Sequence, residues 1–345
     1  MSLLEIKGLE TEFQTEQGVV KALRGINYTV DRGEVLGIVG ESGSGKSVGM
    51  LSLMGLLAPN GTVTAGEMIF DGEDISPIKY KTKKEKKEYE KKMNQIRGND
   101  ISMIFQDPMS YLNPIVTIEK QMTEGIRFHT KCSKKEAVQR AIELMKMVGI
   151  PAPESRLKQY PFEFSGGMRQ RIIIAIALAC NPKLIVADEP TTALDVTVQA
   201  QILDLLKDIT KESNAGVIII THDLGVVASL CDRISIMYGG NIMEEGTTDE
   251  IFYDPKHPYT KGLLNSIANS NADHREPLKP IPGTPPDLLK LGDQCPFASR
   301  CSEAMEICTK ASPLVTEIGE THKCKCWLHC KERWHEVLKG EDAYE

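Results

Sequence analysis

Residues 40–47 read Gly-Glu-Ser-Gly-Ser-Gly-Lys-Ser. A glycine, four free positions and then Gly-Lys-Ser is the spacing of a loop that wraps phosphate groups. Glycines let successive backbone N–H groups turn inward, and a helix starting behind them adds partial positive charge. Lys46 would reach the β- and γ-phosphates of a nucleotide, and Ser47 would place its hydroxyl on Mg²⁺. Gly40, Ser42, Gly43, Ser44 and Gly45 complete the cradle. The flanks agree with this chemistry. Glu34-Val-Leu-Gly-Ile-Val39 reads as a buried strand and Val48-Gly-Met-Leu-Ser-Leu-Met54 as the first turns of a helix. Strand, glycine loop and helix form the context the motif needs, and a chance match would lack it.

Two further apolar runs end in charged residues. Lys183 to Ala187 leads into Asp188-Glu189-Pro190, and Val217 to Ile220 into Thr221-His222-Asp223. Both read as buried parallel strands, and open α/β sheets bind ligands at the carboxyl ends of such strands. Asp188 is placed to ligate Mg²⁺, and Glu189, one residue further out, to polarise a water. The plainer reading of an acidic pair is a favourable charge at a helix N-terminus; the phosphate loop upstream argues for the catalytic one. In Phe164-Ser-Gly-Gly-Met-Arg-Gln170, Ser165, Gly166 and Gly167 open an apolar helix over 169–180, a second N-terminus suited to an anion. An ordinary N-cap would explain Ser165 but not the rest of the string.

These residues need a scaffold. Residues 3–39 alternate apolar and polar around a turn at Glu16-Gln-Gly18, which predicts short antiparallel strands leading into the phosphate loop. Glu67-Met-Ile-Phe70 is another strand, closed by Asp71-Gly72, and Ile101 to Phe105 is one more, ending at Gln106. A mostly helical stretch follows to about residue 164, and Asn181-Pro182 ends the helix after it. Residues 79–92 hold eight lysines and three glutamates; a solvated helix is the expectation, with a patch for anionic lipid as the sharper alternative. Beyond Gly246, prolines interrupt the chain and long elements are not expected.

Composition bounds the rest. A length of 345 residues suggests two domains, or one large α/β domain with an appendage, and 41% hydrophobic content is enough for a core. A net charge of −7 gives no reason to expect nucleic acid as partner. No apolar run of membrane-spanning length is seen, and MSLLEIKGLE lacks a basic-then-apolar leader, so a cytosolic chain is expected. Six of nine cysteines fall between Cys295 and Cys330, which in a reducing compartment suggests metal before disulfides.

Taken in order, GESGSGKS, Gln106 in IFQDP, SGGMRQR, LIVADEP, Ala193-Leu-Asp195 and Thr221-His222-Asp223 resemble the motif series of an ATP-binding-cassette ATPase. Met168 and Phe164 depart from the usual Gln and Leu of the signature, away from the catalytic positions. His257-Pro-Tyr-Thr-Lys-Gly-Leu-Leu264, Ile281-Pro-Gly-Thr-Pro-Pro286 and Cys295-Pro-Phe-Ala-Ser-Arg-Cys301 look like the tail of dipeptide and oligopeptide importer ATPases, a tail shared by importers of nickel and other small solutes. The resemblance implies an α/β phosphate-loop cassette over residues 1–254: a mainly parallel core, an antiparallel β subdomain and a helical subdomain at about 107–180. A small loop-rich extension over 255–345 would carry the cysteines.

By the same resemblance, two cassettes (a sister subunit or a second copy) close head to tail on two ATP molecules. Gly40, Gly43, Gly45, Lys46 and Ser47 hold phosphates; Asp188 and Gln106 help hold Mg²⁺ and the attacking water; Glu189 is general base; His222 contacts the γ-phosphate. Ser165, Gly166 and Gly167 touch the partner's ATP, and Asp195 communicates across the dimer. Phe13 is expected to stack on adenine, with Tyr28 as runner-up, and Pro108 to Pro114 to face a membrane partner. The machine implied sits peripherally on the cytoplasmic face of the membrane, with two permeases and, indirectly, an extracytoplasmic binding protein. A non-transport cassette acting on DNA or ribosomes is the remote alternative; a single cassette without sustained heptads disfavours it.

For the cysteines, spacing leaves free thiols, zinc and an iron–sulfur cluster open. Cys295, Cys301 and Cys308 are separated by five and six residues, wider than the usual paired zinc ligands. The resemblance adds weight to a [4Fe-4S] cluster on Cys295, Cys301, Cys308 and Cys326, the last because His322-Lys-Cys-Lys-Cys-Trp327 looks like the family's ending. Cys324 and Cys330 would be spare.

Overall fold

A computed structural model describes residues 2–105, 111–191, 195–266, 280–330 and 334. In chain order it contains β1 (Leu4–Thr15), β2 (Gly18–Val30), β3 (Val35–Val39), α1 (Lys46–Met54), β4 (Gly61–Phe70), β5 (Glu73–Asp74), α2 (Lys83–Ile96) and β6 (Ile101–Ile104). Then come α3 (Ile118–Thr130), α4 (Lys134–Met147), α5 (Gly166–Ala177), β7 (Leu184–Asp188), α6 (Val196–Ser213), β8 (Gly216–Thr221) and α7 (Leu224–Leu230). The chain closes with β9 (Arg233–Tyr238), β10 (Asn241–Thr247), α8 (Thr248–Tyr253), α9 (Pro258–Asn265), α10 (Glu306–Lys310), β11 (Thr316–Glu317) and β12 (Lys323–Cys324).

The chain divides into two compact units. The first comprises residues 1–5, 29–36 and 69–221. Its strands run in the order β8-β7-β6, parallel throughout, with Ile101 opposite Leu184 and Leu184 opposite Gly216. Every residue of β6, β7 and β8 is buried, which is why these segments read as unbroken apolar runs rather than as alternating ones. Helices α3, α4 and α5 pack on one another. Helix α5 begins at Gly166, three residues before the expected start, because Ser165 caps it; it ends at Ala177, ahead of Asn181-Pro182. The turn Asp71-Gly72 has both residues at positive φ, 50° and 81°, and joins β4 to β5 as a two-residue hairpin. The lysine-rich helix α2 starts with a Thr82–Glu85 capping box and buries only Tyr89, Met93 and Ile96. Its lysines stay on the wet face, as a solvated helix requires.

The second unit comprises residues 6–28, 37–68 and 222–345. Strands β1 and β2 are 12 and 13 residues long, not the short strands expected, and follow the order β2-β1-β4. A second set runs β3-β9-β10-β12-β11. The last two strands come from the proline-interrupted tail: Glu244 faces Cys324 and Glu245 faces Lys323 in an antiparallel pair. Two-residue strands with no helical partner carry too little periodicity to be legible in the sequence. Among the described residues no helix is long and apolar enough to cross a membrane.

Candidate active site

The phosphate loop leaves β3 and enters α1 at Lys46. Gly45 sits at φ 104° as the cap of α1, a conformation that favours glycine. At Gly40 the constraint is space: a Cβ would lie 2.1 Å from the carbonyl oxygen of Met237 in β9. The loop is thus pressed onto the end of β9, and Gly240 N–H donates to Ser44 O at 3.0 Å. A Cβ at Gly43 would meet nothing within 4 Å, so that side of the loop is open. Lys46 is buried; its Nζ donates to Gly40 O at 2.7 Å, Glu41 O at 2.9 Å and Ser44 Oγ at 3.5 Å. The ammonium is therefore held inside the curl of the loop. Ser42 is exposed, Ser44 buried and Ser47 half-buried.

In the first unit, Asp188 is the buried last residue of β7. Glu189 follows at φ 46°, the left-handed region, with its N–H donating to Ile220 O at 2.8 Å. A glutamate there is strained by about 1–3 kcal/mol, a cost that concentrates at functional sites. Gln170, buried in α5, donates to Pro190 O at 2.7 Å and so ties the glycine signature helix to the turn after Glu189. The sequence expectations do not include Gln170; its one signal is its place in the SGGMRQR string. Ser165 accepts from Met168 N–H at 3.4 Å, and Ser165 and Gly166 are exposed. At Gly167 a Cβ would meet Val198 Cγ1 of α6 at 2.9 Å, so the signature is also a packing requirement. Asp195 is exposed and caps α6, accepting from Val198 N–H at 3.0 Å. Gln106, Pro108 and Ala193-Leu194 lie outside the described residues.

In the second unit, His222 is exposed directly after β8, and Asp223 caps α7. Phe13 is half-buried near the end of β1, close against Gly61 of β4. Tyr28, its runner-up, is 3% exposed, and burial pushes its phenol well above the usual range. A ring so enclosed offers no face to a nucleotide, which removes that alternative.

The tail thiols share one neighbourhood. Burial pushes the Cys295 thiol up to about 12, with Cys308, Cys326 and Cys301 adding to it. Cys301 is pushed up by burial and then by Cys326 and Cys308, and Cys308 by burial and then by Cys326. All six pairs among these four sulfurs are therefore within electrostatic reach. Cys326 differs: the neighbouring Cys324 thiol holds its pKa below the usual thiol range. Among the described residues, no three His, Cys, Asp or Glu side chains are drawn together as a formed metal site.

Residues 23–192 match the ABC transporter family, and residues 243–308 match the oligopeptide/dipeptide transporter C-terminal region. The chain is 52% identical over 327 residues to the oligopeptide transport ATP-binding protein OppD of Bacillus subtilis, covering 94% of this chain and 88% of that protein. The chain belongs to the oligopeptide/dipeptide ABC transporter ATP-binding proteins. It is also 48% identical to the dipeptide transport ATP-binding protein DppD of the same organism, over 98% of both chains. Among solved structures, the dimeric ATP-binding cassette MJ0796 bound to ADP and Pi superposes with a TM-score of 0.61 at 29% identity, covering 71% of this chain and 98% of that one. The fold is an ABC ATPase cassette, and the enzyme class is that of an ATPase.

Proposed function

We propose that this protein is the ATP-hydrolysing motor of an importer for dipeptides or oligopeptides. The observation that carries the reading is a phosphate loop with its lysine held inward, in a chain related over nearly its whole length to peptide-transport ATP-binding proteins. Gly40 to Ser47 bind the phosphates of ATP, Ser47 and Asp188 hold Mg²⁺ with Gln106, and Glu189 takes the proton of the attacking water. His222 stabilises the developing charge, and Phe13 stacks on adenine. Ser165 to Gly167 meet the ATP of a second cassette, so hydrolysis waits on closure, and closure moves two permeases. Asp195 relays between the cassettes. The chain sits at the cytoplasmic face, fed by an extracytoplasmic binding protein. Residues 1–254 form the motor, with a helical subdomain at about 107–180, and 255–345 an extension.

Cys295, Cys301, Cys308 and Cys326 are the thiols that would hold a [4Fe-4S] cluster: three are buried and Cys301 is half-buried, all in one loop-rich tail, though their side chains are not drawn together as a formed site. The group would supply a cross-link to a tail with little core of its own.

Reconstitution with the permeases and binding protein in proteoliposomes tests the motor. ATP-dependent uptake of a labelled peptide is expected. Uptake of nickel ions but not peptide would replace the substrate; co-purification with ribosomes or DNA and not with permeases would overturn the transport reading.

A further inference from the structure

Glu41 is the second residue of the phosphate loop, and its side chain and backbone are both anchored in the far end of the sequence. Arg300 Nη1 and Nη2 donate to its two carboxylate oxygens at 2.6 and 3.0 Å, across 259 residues. The Glu41 N–H donates to Tyr259 Oη at 3.0 Å. Arg300 is 5% exposed as a side chain and spends all five of its N–H groups. Besides Glu41 they reach Tyr238 Oη at 3.0 Å, Ile281 O at 3.3 Å and Pro282 O at 2.9 Å. The guanidinium carbon lies 5.7 Å from the Tyr238 ring, which clusters with Tyr259 and Phe297 in tilted and edge-on contacts, centroids 4.5 to 5.3 Å apart. Gly283, at φ 80°, lets the loop 281–286 curl around the arginine. The chemistry of the loop needs none of these contacts, and they bear directly on its shape. The carbonyl of Glu41 is one of the acceptors of Lys46 Nζ, so the chain of contacts runs from Arg300 through Glu41 to the phosphate-binding ammonium.

We infer that Arg300 is a positioning residue for the phosphate loop: through Glu41 it makes the loop's affinity for MgATP depend on the folded tail segment 281–301. Two effects act together. The bidentate pair fixes the direction in which the loop leaves β3. It also neutralises a carboxylate that would otherwise stand unpaired beside bound phosphates. Lysine cannot substitute, since an ammonium has three donors and no planar fork.

The inference rests on reading residues 40–47 as the ATP site, and one set of variants of the full-length chain separates the two. Displacement of a fluorescent nucleotide by MgATP, and steady-state hydrolysis, are measured for Arg300→Lys, Glu41→Gln, their double variant and Lys46→Ala. In Arg300→Lys the KM for ATP and the dissociation constant are expected to rise about tenfold, with kcat at saturating ATP nearly unchanged. A residue that merely supports the fold would lower the active fraction, and so kcat, at constant KM. The double variant is expected to bind no more weakly than the worse single one, because both remove the same contact. Unaltered affinity in Arg300→Lys, or additive losses in the double variant, overturns the inference. Lys46→Ala binding ATP like the parent would instead overturn the assignment of the site.

Discussion

Glu189 shows why the residue scale is needed. Its type and its place after an apolar run can be read directly, but not its left-handed backbone at φ 46°. That conformation turns the carboxylate out of the strand direction that Asp188 follows. The neighbours therefore sit in different surroundings, one buried at the strand end and one half-exposed beyond it. If Glu189 is the general base, Glu189→Gln keeps the shape and removes the proton acceptor. Hydrolysis in the assembled transporter should fall by about 10² or more while nucleotide binding persists. Single-turnover rates measured beside a nucleotide titration check this, and near-normal turnover would remove Glu189 from the role. At the same scale, burial separates Phe13 from Tyr28. They lie on the neighbouring strands β1 and β2; Phe13 is half-buried and Tyr28 fully enclosed, so Phe13 remains the candidate for stacking.

At the scale of elements, α9 depends on one buried histidine. His257 is 1% exposed and caps the helix, with Nδ1 accepting from Tyr259 N–H at 3.0 Å. Its neutral form is required, because a proton on Nδ1 would remove the cap. Burial holds its pKa down, to about 3 against 6.5 for a free imidazole. A base whose folded pKa is depressed adds stability that is complete above its unfolded pKa and is lost as pH falls from 6.5 toward 3. Replacing it with Asn keeps a capping oxygen without a titrating group. Thermal melting followed from pH 7 to about 4.5 should fall less steeply in His257→Asn than in the parent. Parallel curves would show that this histidine does not carry the acid sensitivity. The lysine-rich helix illustrates the opposite case. Its capping box and its Tyr89, Met93, Ile96 stripe are local, so the sequence alone is sufficient to describe it.

For the whole molecule the question is what holds the tail. Strand β12 docks it on β10, and Glu244 buries its carboxylate against His322 Nε2 at 2.7 Å and the N–H groups of Lys256 and His257 at 2.6 and 2.9 Å. The four thiols lie in the same tail, between Cys295 and Cys326. If they hold an iron–sulfur cluster, protein purified without oxygen should contain iron and acid-labile sulfide. It should also absorb broadly near roughly 400 nm. Cys326→Ser should abolish the band and lower the melting temperature of the tail, while Cys324→Ser should retain the band. Stoichiometric zinc without iron or sulfide would sink the cluster, and the reverse pattern of the two variants would move the fourth ligand to Cys324.

The chemistry-bearing strings are legible because each is local. A phosphate loop, a glycine-opened helix and an acidic strand end are all defined within about eight residues, by backbone needs that only certain side chains meet. The three-strand parallel core is legible for a related reason: strands buried on both faces are apolar throughout. The tertiary structure decided what depends on distant pairs. The tail's two short strands have too few residues to show a period, and their partner lies about 80 positions earlier: Glu244 against Cys324. Likewise nothing near Glu41 announces Arg300, because an ion pair across 259 residues is specified by the folded path of the chain and not by any spacing along it.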